Sequence, residues 1–201
     1  TGAVLDREGN LADLHMLLGS QGLTFQLEPL ASLGDALVLC HHSVSASEMI
    51  AGRLDIGALE SEQIILIEVD AQGRAWRTEF FAEDRLGDAV ARLYERYAEL
   101  LPAGPARTRA AATARSVVAT VGPIDFDRYA SVFAPAIEAV DHRTLGTWSA
   151  RGAEALLRHF RSILDLVDDA ALRDDEVLSL QSDAFLLRRT HFGTDRIGGG
   201  A

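Results

Sequence analysis

The sequence predicts a mixed α+β fold in which a mostly antiparallel sheet is flanked by helices. Between residues 23 and 81, runs rich in apolar and β-branched residues succeed one another, and helical spacing governs the stretches on either side. The segment Asp70-Ala71-Gln72-Gly73 carries the turn chemistry of a hairpin between two of those runs. The chain has 201 residues, 48% hydrophobic and 24% charged, which suffices for a packed core and lies far from a disordered composition.

Leu11, Leu14, Leu17 and Leu18 recur at helical spacing, and Gly19 and Gly22 end the run. Strands are expected at 23–27, 36–40, 63–69 and 75–81. Leu86, Val90, Leu93, Tyr94, Tyr97 and Leu101 then mark the apolar stripe of a second helix, with Asp84 placed to cap its start and Pro102 to stop it. Residues 102–106 hold two prolines and a glycine and read as a linker. A boundary placed there divides the chain into 1–104 and 105–201. Beyond it the pattern predicts a long helix over 107–120 and a short one over 126–133, after Gly122-Pro123. A strand over 136–144 follows, then a helix carrying Ala155, Leu156, His159, Phe160, Ile163 and Leu164. Two strands near 176–181 and 184–192 precede the terminal Gly198-Gly199-Gly200-Ala201. The acidic run Asp165, Asp168, Asp169, Asp174, Asp175 and Glu176 reads as a solvated helix end; it has no calcium-loop spacing.

Thirty acidic residues against nineteen basic ones, all arginine, give a net charge of −11. Nucleic acid is a poor partner for such a chain, because the tight basic groups Arg107/Arg109/Arg115 and Arg188/Arg189 are flanked by acid. The longest apolar run, Ile64-Ile65-Leu66-Ile67, is of strand length, so no membrane span is expected. The lone Cys40 can form no internal disulfide and fits a reducing compartment, which gives a cytoplasmic expectation. Without an initiator Met or a signal sequence, the chain reads as a segment of a longer protein.

Residues 32–39, Ser-Leu-Gly-Asp-Ala-Leu-Val-Leu, resemble residues 180–187, Leu-Gln-Ser-Asp-Ala-Phe-Leu-Leu, at an offset of 148. Upstream of each lies a helix with the pattern Gly-x-x-Ala-x-Leu: Gly9, Ala12, Leu14 and Gly152, Ala155, Leu157, at an offset of 143. The same order of elements at nearly the same spacing indicates two α+β units in tandem. Residues 1–104 then hold the later part of one unit and residues 105–201 the earlier part of the next.

Val140-Asp141-His142-Arg143-Thr144-Leu145-Gly146, followed by a Gly that opens a helix, resembles the first-strand signature of nuclear transport factor 2-like (SnoaL-like) bacterial domains. Residues 77–84, Arg-Thr-Glu-Phe-Phe-Ala-Glu-Asp, and the helix over 89–97 resemble the last strand and closing helix of the same family. The resemblance implies a curved antiparallel sheet with helices on its concave face, a cystatin-like cone cut out of register with the repeats. It also implies an apolar pocket for a small hydrophobic ligand and a setting at the C-terminus of a large bacterial regulator. Helices and strand from 107–144 could complete the sheet of 1–104 within one chain. Alternatively each half is completed by a partner chain, giving a homodimer or a strand-exchanged dimer.

The pocket residues that this mapping selects are Tyr129, Asp141, His142, Arg143, Trp148 and His191. Enzymes of the family use one inward carboxylate as base, and Asp141 is the candidate, provided that burial raises its pKa. Asp141 and His142 occupy opposite faces of a strand, so only one faces the pocket. Arg143 pairs with a carboxylate or anchors an anion. Tyr129 belongs to the apolar spacing of its helix with Val132 and Phe133, and Trp148 packs on the following helix or lids the pocket. His41 and His42 adjoin on one strand, so one of them points inward; no metal-ligand spacing and no cofactor motif is present, and neither is expected. Ser43, Ser45 and Ser47 lack a nucleophile elbow. The expected function is a non-catalytic ligand-sensing or dimerisation module of a larger regulator. The alternative is a ketosteroid-isomerase-type enzyme acting on a hydrophobic carbonyl compound through a carboxylate or histidine.

Overall fold

The computed structural model describes residues 7–51, 54–121, 124–144, 146 and 148–196. Its elements run α1 (Arg7–Leu18), β1 (Thr24–Leu33), β2 (Leu37–Ala51), β3 (Leu54–Val69), β4 (Ala75–Ala82), a 3-10 turn (Glu83–Arg85), α2 (Leu86–Leu100), α3 (Pro105–Val121) and α4 (Phe126–Val132). After these come β5 (Glu138–Val140), β6 (Ser149–Arg151), α5 (Ala153–Leu164), β7 (Val167–Gln181) and β8 (Ala184–Asp195). The fold is α+β, with β1-β2-β3-β4 forming one antiparallel sheet and β5-β6 and β7-β8 forming two separate hairpins.

Strands β2 and β3 are far longer than the apolar runs that announce them. Residues 41–46 continue β2 by alternation, with His42, Val44 and Ala46 buried and their neighbours only partly so. Period-2 burial of this kind sustains a strand without a continuous apolar run. The turn at Asp70 forms as its chemistry requires: the Asp70 carboxylate accepts from the amides of Gln72 and Arg74, both at 2.9 Å, and Gly73 takes φ +73°.

One face of the four-stranded sheet carries Leu37 and Leu39 from β2 and Ile64 and Leu66 from β3. Against it α2 lays Leu86, Ala89, Val90, Leu93 and Tyr94, the stripe that the spacing predicts. Helix α3 brings Ala114, Val117 and Val121 to the same core, and β7-β8 adds Val177, Leu180, Phe185 and Leu187 at its margin. Residues on both sides of the turn at 102–106 therefore share one apolar core. The fully buried Tyr94 pins the second half to the first, donating its hydroxyl toward the carbonyls of Gln181 (2.8 Å) and Ala184 (2.7 Å) at the β7-β8 turn.

Three local expectations differ from the structure. Asp84 does not cap α2; it lies within the 3-10 turn, and Arg85 occupies the cap position, where its side chain pairs with Asp88 instead of capping the helix. The strand expected over 136–144 is only three residues long and pairs with β6, which the pattern did not announce. The acidic run from Asp168 to Glu176 is not a helix end but part of β7. Arginines of β8 and beyond answer it across the hairpin, in the pairs Asp174–Arg189, Glu176–Arg188 and Asp168–Arg196, each at 2.7 Å. Residues 122–123 and 197–201, where a break and a glycine run are expected, lie outside the described residues.

Candidate functional site

The residues selected from the sequence fall into three places. Tyr129 is buried on α4, whose start is capped by Asp125 accepting from the amides of Asp127 and Arg128. Its ring stacks on Phe133 (5.9 Å) and meets Phe126 edge-on (6.3 Å), and burial pushes its hydroxyl pKa up. Trp148 stacks at 3.8 Å on His159 of α5, so it packs on the following helix. The Nε2 of His159 is buried without a hydrogen-bond partner among the described residues.

Asp141 lies just beyond β5 and is gripped by Arg143: Nε donates to Oδ1 at 2.8 Å, Nη2 to Oδ2 at 2.7 Å, and the Arg143 amide to Oδ1 at 3.1 Å. These bonds, with the arginine charge, hold the carboxyl near 2, well below its ordinary value. The raised pKa that a proton-abstracting role needs is absent, and the group is a weak base. His142 and Arg143 are exposed, and His191 is exposed on β8 opposite Leu172. Of the six residues, Arg143 grips Asp141 and the Asp141 amide donates to the Trp148 carbonyl at 3.3 Å, whereas Tyr129 lies elsewhere on α4 and His191 on β8.

A more distinctive surface lies on the face of the sheet turned away from α2. The register aligns Pro29, Cys40, Ile65 and Phe80 in one row, with Leu27, His42 and Gln63 beside it and Phe25 opposite Val44. The floor is buried: Cys40 2%, Val44 4%, Ile65 5% and His42 9% exposed. The flanking side chains are not, with Phe25 56%, Leu27 44% and Phe80 59% exposed. No carboxylate or guanidinium occupies these positions. His42 meets Phe25 edge-on at 4.6 Å, and its buried Nδ1 has no hydrogen-bond partner among the described residues. Burial and the neighbouring His41 lower its pKa, and burial raises that of the Cys40 thiol.

The adjacent His41 points to the opposite face. There it joins Glu62 of β3 and Glu83 of the 3-10 turn, one ligating atom from each lying within 4.8 Å of the others. These positions are scattered across three elements, which is why chain spacing gave no sign of the cluster. Separately, an open groove of about 750 Å³ runs between α2, α3 and α4. Ala98, Ala114 and Val118 floor it, and Glu95, Glu99, Arg107, Arg115 and Arg128 rim it. It is more polar than the apolar pocket that the resemblance implies. Among the described residues no helix is long and apolar enough to cross a membrane.

A scan against protein-family models finds none that matches the chain, and a search of curated proteins finds no similar one.

Proposed function

We propose that the chain is a non-catalytic assembly module that joins two copies of itself through the face of the sheet turned away from α2. The observation that carries this reading is the exposed Phe25, Leu27 and Phe80 around an uncharged, buried floor. Contiguous exposed apolar surface of this kind marks an interaction site. A second copy is the fitting occupant. The chain carries a net charge of −11, so two copies repel through most of their surfaces, whereas this face brings no like charges together. Its extent is adequate for a weak pairing: four strands about 4.8 Å apart, the shortest eight residues long, span roughly 500 Å² per copy and about 1,000 Å² over two, the lower end of specific interfaces.

The wider setting, a larger bacterial regulatory protein, rests on the resemblance of residues 140–146 and 77–97 to SnoaL-like modules. A helix followed by an antiparallel hairpin occurs twice, as α1-β1-β2 and α5-β7-β8, and this supports a tandem reading. Light scattering on the isolated chain is expected to give twice the 21.7 kDa chain mass, and Phe80→Asp to give a monomer with unchanged far-ultraviolet dichroism. A wild-type chain that stays monomeric at about 100 μM would remove the proposal.

A further inference from the structure

We propose that His41, Glu62 and Glu83 form a binding site for one divalent first-row transition cation, with Zn²⁺ as the fitting occupant. The three residues come from β2, β3 and the 3-10 turn that leads into α2, and their ligating atoms already lie within 4.8 Å of one another. The trio is not closed by its own bonds. His41 Nε2 and the Glu62 carboxylate are 3.7 Å apart, beyond hydrogen-bond reach. That gap suits a shared cation: zinc binds imidazole nitrogen and carboxylate oxygen at about 2.0–2.2 Å, which places neighbouring ligand atoms about 3.4 Å apart in a tetrahedron. Glu83 is exposed, so its side chain has the freedom to close the remaining distance.

The charge balance points the same way. Two carboxylates face one imidazole, and among the described residues no arginine pairs with either of them, although arginine pairs are abundant elsewhere on the molecule. A nitrogen donor beside two oxygens favours borderline cations over Mg²⁺ or Ca²⁺, which prefer all-oxygen shells. Three protein ligands leave a fourth position for water or an external donor. Because the ligands bridge β2, β3 and the entry to α2, occupancy would clamp the start of that helix to the sheet. The site lies on the face opposite the proposed assembly surface and stands whether or not the chain dimerises.

Titration of the metal-free, untagged 201-residue chain with ZnCl₂ by isothermal calorimetry tests the site. One saturable equivalent is expected, undiminished by millimolar Mg²⁺, together with a rise in melting temperature. His41→Asn and Glu83→Gln are each expected to weaken binding about tenfold or more and to abolish that rise. Glu83→Gln alters an exposed turn and leaves the fold intact, which keeps the test decisive if His41→Asn disturbs β2. Absence of a saturable equivalent overturns the site. So does binding that persists unchanged in both variants, since it would place the metal elsewhere, for instance on the exposed His142 or His191.

Discussion

His42 illustrates how one side chain can set the pH response of the molecule. Burial first, and then the neighbouring His41, depress its folded pKa below the usual imidazole value of about 6.5. Above that value both folded and unfolded chains hold it neutral, and its contribution is complete. Below it the unfolded chain binds a proton that the folded chain refuses, so stability falls with pH, by up to about 1.4 kcal/mol per unit until the lowered folded value is reached. Urea midpoints at pH 7.5 and 5.5 are expected to differ in the wild type, and the difference to shrink in His42→Leu. An equal difference in that variant would assign the effect to other groups. The adjacency of His41 and His42 was legible in the sequence, as was the certainty that they face opposite ways. Which face holds what was not, because Phe25 and Glu62 reach them across the sheet from other strands. Asp141 is a similar case: the segment was visible, but the Arg143 grip that keeps it charged is a matter of local geometry.

Among the elements, α2 was the most legible, since Leu86, Val90, Leu93 and Tyr94 announce both its helicity and its buried face. The crowding at its first turn was not. Gly87 is buried there, and a Cβ in its place would stand 2.9 Å from the Val121 carbonyl oxygen and against the Asp174 carboxylate. Asp174 is itself held by Arg189, whose Nε donates to it at 2.7 Å while Nη1 donates to the Thr120 carbonyl at 2.9 Å. One ion pair thus gathers β7, β8, the end of α3 and the start of α2. Helix propensity alone favours Gly87→Ala by about 1 kcal/mol. The contacts oppose it, because backbone and a fixed carboxylate cannot step aside, and overpacking of this sort costs roughly 1–3 kcal/mol. Gly87→Ala is therefore expected to lower the denaturation midpoint; a rise would show that α2 and α3 can separate freely. Composition is silent about the acidic run of β7 for a related reason. Its partners Arg188, Arg189 and Arg196 lie across a hairpin, and composition alone does not reveal the pairing.

At the scale of the whole molecule, the linker reading of residues 102–106 meets a core that draws on both sides of it. Val117 and Val121 of α3 and Val177, Phe185 and Leu187 of β7-β8 pack with the sheet and α2. The full chain is expected to melt in a single transition by dichroism and fluorescence alike. A chain ending at residue 104 is expected to keep strand and helix signal but to bind a hydrophobic dye and lose that sharp transition. Two resolved transitions in the full chain would restore the boundary as a division between independent units. The α+β class and the order of most elements followed from periodicity and turn residues, whereas this sharing of one core depends on contacts between residues about ninety apart. The Tyr94 hydroxyl, bonded to carbonyls 87 and 90 positions downstream, is the clearest of them. On a translating ribosome adding about 5–20 residues per second, that bond waits roughly 5–20 s after Tyr94 is made. Throughout that interval the margin of the core that Val177, Leu180, Phe185 and Leu187 later fill stays open, so the nascent sheet and α2 hold apolar surface in contact with water.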